Sequence, residues 1–310
     1  MSDGLYGVNE LEGLVHSEDV LDGVFECLRR IWSSDNALTQ RRLSNSEYRT
    51  RLLERHIANQ DPSLYDTLRD QIGDHPLPNI DSGCGIVMDG LSVREGFRLT
   101  ADLVEEHDWS VNLGWAAVER LPTETTFICR EWFDDHAPSA VNRDDFRYVG
   151  DMDVPRLPGT DPEFIWTRLP DKRVEAAMEG NYVVEELTEV YADTKQLLVD
   201  VIGESVHDEF LVSSDHGYIN HHGGNPYVLG DDNEDLLVEK FPARYAEVDN
   251  SYAFKQLSDA GIIDRVGDHY VVRGHHNPTT RGASKKVRHG GLSLPECMTP
   301  VLRINTNRGN

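Results

Sequence analysis

The chain has 310 residues, which is long enough to bury a hydrophobic core of its own, so size alone does not exclude an enzyme. It carries 55 acidic and 30 basic residues, for a formal net charge of -25. This charge disfavours diffuse binding to nucleic-acid phosphates, because such binding needs a net basic face.

The first quarter of the chain has apolar residues at helical spacing, from Val20 to Ile31 and again from Leu38 to Ile57. We therefore expect an N-terminal helical segment over residues 1–79, ahead of a domain over 80–310. The run CGIVMDG then predicts a buried strand, and SVREGFRLTADLVEEHDW predicts a helix. Strand, loop and helix in this order open a parallel α/β sheet, in which ligands collect at the carboxyl ends of strands.

The later elements repeat this alternation. Residues 134–160 are rich in Asp, Pro and Gly and predict an irregular loop, whereas EFIWTRL predicts a strand. A long amphipathic helix over VVEELTEVYADTKQLLVDVIGE precedes a strand in DEFLVSSDHG, and residues 220–285 predict a loop-rich region with a helix near 250–260. The C-terminal segment KVRHGGLSLPECMTPVLRIN predicts a loop, a short helix capped by Ser293 and a last strand. The expected fold is a doubly wound α/β domain, with helices on both faces of a mostly parallel sheet.

The strongest chemical signal is FLVSSDHGY, where an apolar strand delivers Asp215 and His216 side by side and Gly217 permits a sharp turn. Adjacent carboxylate and imidazole groups suit zinc or manganese, although a structural pair is the alternative. A second signal is the HGG sequence that begins at His289. Its glycines would let the backbone approach a metal or a phosphate, and a capping loop explains them about as well.

The combination of SDHG with HGGLSLPE about seventy residues later, followed by a Pro-containing terminal strand, resembles the C-terminal half of PglZ domains. These domains belong to the alkaline-phosphatase superfamily, and the similarity covers roughly three quarters of the chain. The resemblance implies that Asp89, at the end of IVMDG, is a metal ligand. Ser92 departs from the pattern, since many relatives have Arg there.

The resemblance also implies a nucleophile in the turn PTETT. Thr125 matches the nucleophile position, and Thr123 and Thr126 are nearby competitors. A helix beginning at this turn could hold a phosphate through its exposed N–H groups and its dipole. Without the resemblance, PTETT would be read as a simple helix N-cap.

Family members bind two divalent ions, and we expect zinc here, with manganese or magnesium as alternatives. The implied ligands are Asp89, Asp215 and His216 for one ion, and Asp171, His289 and Glu175 for the other. Glu175 stands where the family has His. A carboxylate there favours manganese or magnesium over zinc, and a depleted site that binds one ion weakly is the alternative.

A basic island lies just before the last predicted ligand. Between Asp268 and Glu296 there is no acidic residue, and the basic residues there are Arg273, Arg281, Lys285, Lys286 and Arg288. We expect Lys285, Lys286 and Arg288 to bind the phosphate of a substrate, with a solvated loop as the alternative. The paired histidines His221 and His222, and His275 and His276, are expected to be solvated, with a place at the entrance of the site as the alternative.

The activity that the resemblance implies is phosphoryl transfer by a phosphodiesterase or nuclease-like enzyme, in which Thr125 attacks phosphorus. The alternatives are a phosphomonoesterase and a catalytically weak scaffold or sensor. The substrate would be a phosphate ester or phosphodiester, with a nucleotide or nucleic acid among the candidates. Family analogy places the chain in prokaryotic defence against phage, of the BREX type, with other defence proteins as partners.

The charge and the termini add expectations about the setting. Only six lysines accompany 24 arginines, and at molar salt the Debye length of about 3 Å screens the acidic surface, which favours a haloarchaeal source over an acidic mesophilic one. No apolar run of about 20 residues and no signal-peptide pattern is found, so a cytoplasmic protein without membrane contact is expected. The four cysteines lack CxxC spacing and are expected to be buried thiols.

Overall fold

A computed structural model of the chain describes residues 20–32, 40–178, 184–220, 227, 229–278 and 287–306, without the side chains of 40–44, 175–178, 184–187 and 287. The α-helices are α1 (Val20–Trp32), α2 (Gln40–Gln60), α3 (Leu64–Asp70), α4 (Val93–His107), α5 (Thr125–Phe133), α6 (Asp171–Met178), α7 (Val184–Glu204), α8 (Asp231–Lys240), α9 (Tyr252–Asp259) and α10 (Leu294–Cys297). The strands are β1 (Cys84–Met88), β2 (Ser110–Ala117), β3 (Phe146–Val149), β4 (Glu163–Thr167), β5 (Glu209–Ser213), β6 (Ile219–Asn220), β7 (Tyr245–Glu247), β8 (Ile263–Val266), β9 (His269–Val272), β10 (Val287–Arg288) and β11 (Met298–Asn305). Short 3₁₀ turns lie at Leu77–Asn79 and Pro138–Ala140.

The central sheet has six strands in the order β2-β11-β5-β1-β4-β3. β5, β1, β4 and β3 pair in parallel, and β11 is antiparallel to both of its neighbours. Five strands therefore run one way and β11 runs the other way. The carboxyl ends of β1, β4 and β5 consequently share one edge of the sheet with the start of β11.

The sequence of each strand reflects its place in this sheet. All five residues of the central strands β1 and β4 are buried, as expected for apolar runs that are covered on both faces. β2 lies at the margin of the sheet and alternates between more and less exposed residues over much of its length. β3 forms the opposite margin with only four residues.

Helices cover both faces of the central sheet. On one face, Ile86 and Val212 share a cluster with Leu99 of α4 and Leu198 of α7. On the other face, Val87 and the neighbouring strands share a cluster with α5 and the turn Leu77–Asn79. The prediction of a doubly wound, mostly parallel α/β fold is therefore confirmed.

The N-terminal helices contribute to the same interior as the sheet. The apolar stripe of α1 shares a hydrophobic cluster with Phe97 of α4, and the rings of Phe25 and Phe97 lie 5.1 Å apart. Arg94 of α4 forms a buried ion pair with Glu47 of α2. The domain boundary at residue 79 stays a prediction.

Two regions differ from the sequence-based expectation. The predicted irregular loop over 134–160 contains β3, which pairs with β4. The predicted helix near 250–260 is present as α9, but the region predicted to be loop-rich also contains α8 and the three strands β7, β9 and β8 of a small antiparallel sheet. Phe254 of α9 and Val272 of β9 belong to its own hydrophobic cluster. The strands have only three or four residues each, so they leave no clear periodicity in the sequence.

The four cysteines are free and buried, as expected from their spacing. Among the helices of the described residues, none is long and apolar enough to cross a membrane.

Candidate metal centre

The carboxyl edge of the sheet brings the residues of three motifs together. Asp89 follows β1, Asp171 follows β4 at the start of α6, and Asp215 and His216 follow β5. His289 lies in the loop before α10 and β11, and this loop reaches the same edge because β11 is antiparallel. The doubly wound topology thus places residues that are far apart in sequence beside one another.

The first group of possible metal ligands is Asp89, Asp215 and His216. Each offers one oxygen or nitrogen atom, and these atoms lie within 4.8 Å of one another. All three side chains are buried. His216 Nδ1 lies 3.0 Å from the carbonyl oxygen of Gly217, and it donates its proton there. Nε2 is thereby left as the ring nitrogen that faces the carboxylates, at 3.7 Å from Asp89 and 3.6 Å from Asp215.

The second group is Asp171, His216 and His289, again with ligand atoms within 4.8 Å. His289 Nδ1 lies 3.0 Å from the carbonyl oxygen of Thr123, which fixes the ring with Nε2 as the second nitrogen. The rings of His216 and His289 stack, with centroids 4.1 Å apart. His216 therefore belongs to both groups, whereas the sequence assigned it to one.

Thr125 lies against the first group as the first residue of α5. Its hydroxyl donates to Asp215 Oδ2 at 2.7 Å and lies 3.2 Å from Asp89 Oδ1 and 3.3 Å from His216 Nε2. The side chain is only partly buried, so the hydroxyl is at a helix N-terminus beside carboxylates and imidazole. Such a position suits a nucleophile that attacks an anionic group held by helix N–H groups.

The two competing threonines have different surroundings. The Thr123 hydroxyl is fully buried, accepts a hydrogen bond from Gly290 N at 2.7 Å and contacts the carbonyl of Gly291. Thr123 therefore connects the PTETT turn to the HGG loop by hydrogen bonds. Thr126 is exposed to solvent. Of the three threonines, Thr125 is the one whose hydroxyl contacts the carboxylates.

The electrostatics of the first group favour a bound cation. Burial, followed by the charges of Asp215 and Asp171, raises the pKa of Asp89 well above its usual range. Burial lowers the pKa of His216 to about 4, against the opposing effect of Asp215. At neutral pH His216 is therefore a neutral imidazole, the form that binds metal.

The pKa of His289 is shifted in the opposite direction. Burial alone would lower it, but the nearby carboxylates of Glu124 and Asp171 outweigh burial and raise the pKa of His289 to about 9. Glu124 Oε1 lies 3.6 Å from His289 Nδ1. Without a metal ion, His289 carries the positive charge that faces these carboxylates.

The donor set of both groups fits a pair of divalent cations. Carboxylate oxygen and imidazole nitrogen together suit zinc or manganese, and each imidazole already has its second nitrogen fixed by a carbonyl. A cation would also offset the repulsion among Asp89, Asp171 and Asp215. The residues present therefore fit the metal ions that the sequence predicts.

Several predicted site residues cannot be placed in this arrangement. Glu175 lies in α6, but its side chain is outside the described part of the chain, and Lys285 and Lys286 are outside it altogether. Arg288, in β10, is partly buried, and burial together with the charge of Arg244 lowers the pKa of Arg288. The phosphate-binding role of these basic residues stays a prediction.

The basic island and its histidines differ from expectation where they are described. Arg273 is paired with both carboxylate oxygens of Asp264, at 2.5 and 2.6 Å, so its charge is already balanced. His275 is fully buried, with Nε2 3.1 Å from Glu54 Oε2, and the expectation that it is solvated was wrong. Its partner comes from α2, which covers this loop. His276 is partly buried as well, whereas His221 and His222 are outside the described residues.

Sequence reasoning missed several groups that support the centre. Trp166 Nε1 lies 3.4 Å from Asp89 Oδ2, and Gly90 N donates to Asp215 Oδ1 at 3.1 Å. Arg244 and Glu296 form a buried ion pair behind the HGG loop. Gly90 directly follows the predicted ligand Asp89, but no spacing in the sequence links Trp166 to Asp89 or Arg244 to Glu296, because the partners of each pair come from different elements.

Comparison of the sequence with protein families and with curated proteins gives no match, so membership of the PglZ family stays a prediction. Among solved structures, phosphonoacetate hydrolase from Sinorhizobium meliloti 1021, in complex with phosphonoformate, is similar with a TM-score of 0.39 and 12% identity, over 74% of this chain and 91% of that chain. Murine ectonucleotide pyrophosphatase/phosphodiesterase 5 is similar with a TM-score of 0.38 and 9% identity, over 72% of this chain and 88% of that chain.

Proposed function

We propose that the chain is a metal-dependent phosphoric ester hydrolase that uses Thr125 as its nucleophile. The observation that carries this proposal is the position of the Thr125 hydroxyl, 2.7 Å from Asp215 Oδ2 and 3.3 Å from His216 Nε2, at the N-terminus of α5. A hydroxyl in this setting has a group that accepts its proton on one side and helix N–H groups on the other.

Two groups of side chains would hold the ions. Asp89, Asp215 and His216 would hold one, and Asp171, His289 and the shared His216 would hold the other. The bound ions would supply Lewis acidity, which lowers the pKa of the nucleophile and of water and offsets charge on the phosphoryl oxygens.

The residues of the chain then account for the covalent steps. Thr125 Oγ1 gives up its proton to solvent and forms a bond to phosphorus while the bond from phosphorus to the ester oxygen breaks, and the departing alcohol or phenol takes up a proton from solvent. The resulting phosphothreonine is hydrolysed by water, which returns the free hydroxyl and releases phosphate or a phosphomonoester. The backbone N–H groups of Thr125 and Thr126, the first two residues of α5, would hold phosphoryl oxygens during both steps.

The substrate class we favour is a phosphodiester or nucleotide. The support for it is the basic sequence around Arg288, next to the ligand His289. Roles in phage defence and contacts with other defence proteins remain a proposal that rests on motif resemblance alone.

Hydrolysis of bis-p-nitrophenyl phosphate and p-nitrophenyl phosphate tests the proposal directly. The assay is run in molar KCl with zinc, manganese or magnesium, for wild type, Thr125→Ala and Asp215→Ala, with the exposed neighbour Thr126→Ala as the matched control. We expect metal-dependent turnover that is lost in the first two variants and kept in the control. Faster hydrolysis of the diester would identify a phosphodiesterase, and the opposite preference a phosphomonoesterase. Folded wild type without turnover with any metal would overturn the enzymatic proposal in favour of a binding scaffold.

A further inference from the structure

A fully buried ion pair, Arg244–Glu296, lies behind the two histidines of the candidate metal centre. Arg244 Nε and Nη2 donate to the two carboxylate oxygens of Glu296 at 2.7 and 2.9 Å, and neither side chain is exposed to solvent. A bidentate pair of this kind has one well-defined geometry. Groups attached to it are therefore held in one position.

Glu296 is attached to both histidine loops. Gly291 N, two residues after His289, donates to Glu296 Oε1 at 2.9 Å. Gly217 N, directly after His216, donates to the backbone carbonyl of Glu296 at 3.0 Å. A single residue thus fixes the backbone next to each of the two histidines.

These contacts require glycine at both positions. A Cβ atom at Gly291 would lie 2.6 Å from Arg244 Nε, and one at Gly217 would lie 2.1 Å from the carbonyl oxygen of Pro295. Both distances are too short for any side chain. The two glycines therefore allow the backbone after each histidine to lie close to the Arg244–Glu296 pair and to α10.

Arg244 also connects the small antiparallel sheet to the centre. It lies just before β7, and its Nη2 donates to the carbonyl oxygens of Val272 and Gly274 at 3.1 and 2.5 Å. Nη1 donates to the carbonyl oxygen of His276. The guanidinium group therefore binds the end of β9 and the following turn on one side, and Glu296 on the other.

We propose that Arg244 and Glu296 are positioning residues that set the distance and orientation of His216 and His289. They act through the backbone of Gly217 and Gly291. Because Arg244 also binds the end of β9, the small sheet supports the metal centre through this pair. This inference rests on the proposed function, because it assumes that the two histidines are metal ligands.

The test compares Glu296→Gln and Arg244→Lys with the matched control Asp264→Asn. Asp264 of β8 accepts hydrogen bonds from Nε and Nη2 of Arg273, so the control breaks a second bidentate pair, one that is partly exposed. Zinc and manganese affinities are measured calorimetrically on the full chain in molar KCl. The histidine ring signals of the metal-free protein are recorded by NMR, and folding is verified by circular dichroism.

We expect Glu296→Gln and Arg244→Lys to weaken metal binding about tenfold or more and to shift the ring signals of His216 and His289. Asp264→Asn should change neither. Unchanged affinity and unchanged ring signals in a folded Glu296→Gln protein would overturn the positioning role, and Arg244→Lys decides the question should Glu296→Gln fail to fold. Wild type that binds no metal would instead contradict the proposed function, and the ring signals would then decide the positioning role alone.

Discussion

The imidazole rings of His216 and His289 stack at 4.1 Å with an angle of 12° between their planes, although they come from loops at opposite ends of the C-terminal third of the chain. In each ring, Nδ1 donates a hydrogen bond to a backbone carbonyl oxygen, which leaves Nε2 as the possible ligand atom. Because His216 is within reach of the carboxylates of both groups, it links the two possible metal positions.

Thr125 should form a covalent intermediate. We expect a short reaction with a ³²P-labelled diester, quenched in acid, to label wild type on threonine and to leave Thr125→Ala unlabelled, because the Thr125 hydroxyl lies against the carboxylates of Asp215 and Asp89. Thr125→Ser should keep part of the activity, since it retains the hydroxyl. Labelling of Thr125→Ala to the wild-type level would place the nucleophile elsewhere.

Metal content should follow the two ligand groups. Asp89 belongs to one group, Asp171 to the other and His216 to both. We therefore expect two ions per chain in wild type by native mass spectrometry, about one in Asp89→Asn and in Asp171→Asn, and weak binding of both in His216→Asn. Asp145→Asn serves as the control, because Asp145 pairs with Arg143 on the surface. Full occupancy in Asp171→Asn would exclude Asp171 as a ligand.

Metal binding should release a proton from His289 and strengthen as pH rises. The pKa of His289 is raised to about 9 in the metal-free fold, from 6.5. A proton must therefore leave before Nε2 can bind metal, so the apparent affinity should increase up to about pH 9. Calorimetry in buffers of different ionisation enthalpy counts the released protons, and His289→Gln should release about one fewer.

The same raised pKa predicts how the stability of the metal-free protein depends on pH. Because the folded pKa lies above the unfolded one, the contribution of His289 is fully present below pH 6.5 and is lost as pH rises through about 9. Urea unfolding of the chelated protein should show this loss between these pH values, and His289→Gln should reduce it. An identical pH profile for wild type and variant would contradict the prediction.

The buried pair between Glu54 and His275 should contribute strongly to stability. Glu54 accepts a hydrogen bond from Tyr65 and pairs with His275, and neither Glu54 nor His275 is exposed. Glu54→Gln replaces one of these two acceptor oxygens with an NH2 group, and a buried group that loses its hydrogen-bond partner costs about 1 to 3 kcal/mol, so the free energy of unfolding in urea should fall by about 2 kcal/mol. Glu26→Gln breaks an exposed pair with Arg29 and should cost at most about 1 kcal/mol. Equal losses would mean that burial of the pair is unimportant.

The sequence predicted those parts of the fold that have a strong local pattern. β1, β4 and β5 are apolar runs, and α4 and α7 have clear helical periodicity, so their positions follow from the residues themselves. β2 was not predicted, since its half-exposed residues lack a continuous apolar run. β3 was not predicted because four residues between polar loops give no period.

For the candidate site, the sequence predicted the residues that the structure brings together but not the contacts that support them. Asp215 and His216 are adjacent in the chain, so one motif reveals them. Two further contacts join residues from distant elements: the ion pair between Arg244 and Glu296, and the contact between buried His275 and Glu54. Only the folded chain reveals them. The motif resemblance already matched Thr125 to the nucleophile, whereas the different contacts of the Thr125 and Thr123 hydroxyls are seen only in the folded chain.

The stability of the folded chain should rise with salt, because a net charge of -25 repels itself at low ionic strength. Raising KCl from 0.1 to 1 M shortens the Debye length from about 10 to about 3 Å, so we expect a higher melting temperature. A triple variant that neutralises the exposed acids Glu105, Asp144 and Asp259 should melt at a higher temperature than wild type in 0.1 M KCl, and the difference should shrink in 1 M KCl. Sucrose is excluded from protein surfaces but does not screen charge, so it separates charge screening from stabilisation by solute exclusion. If sucrose reproduced the whole effect of KCl, or if the triple variant responded to salt like wild type, charge screening would not be the cause.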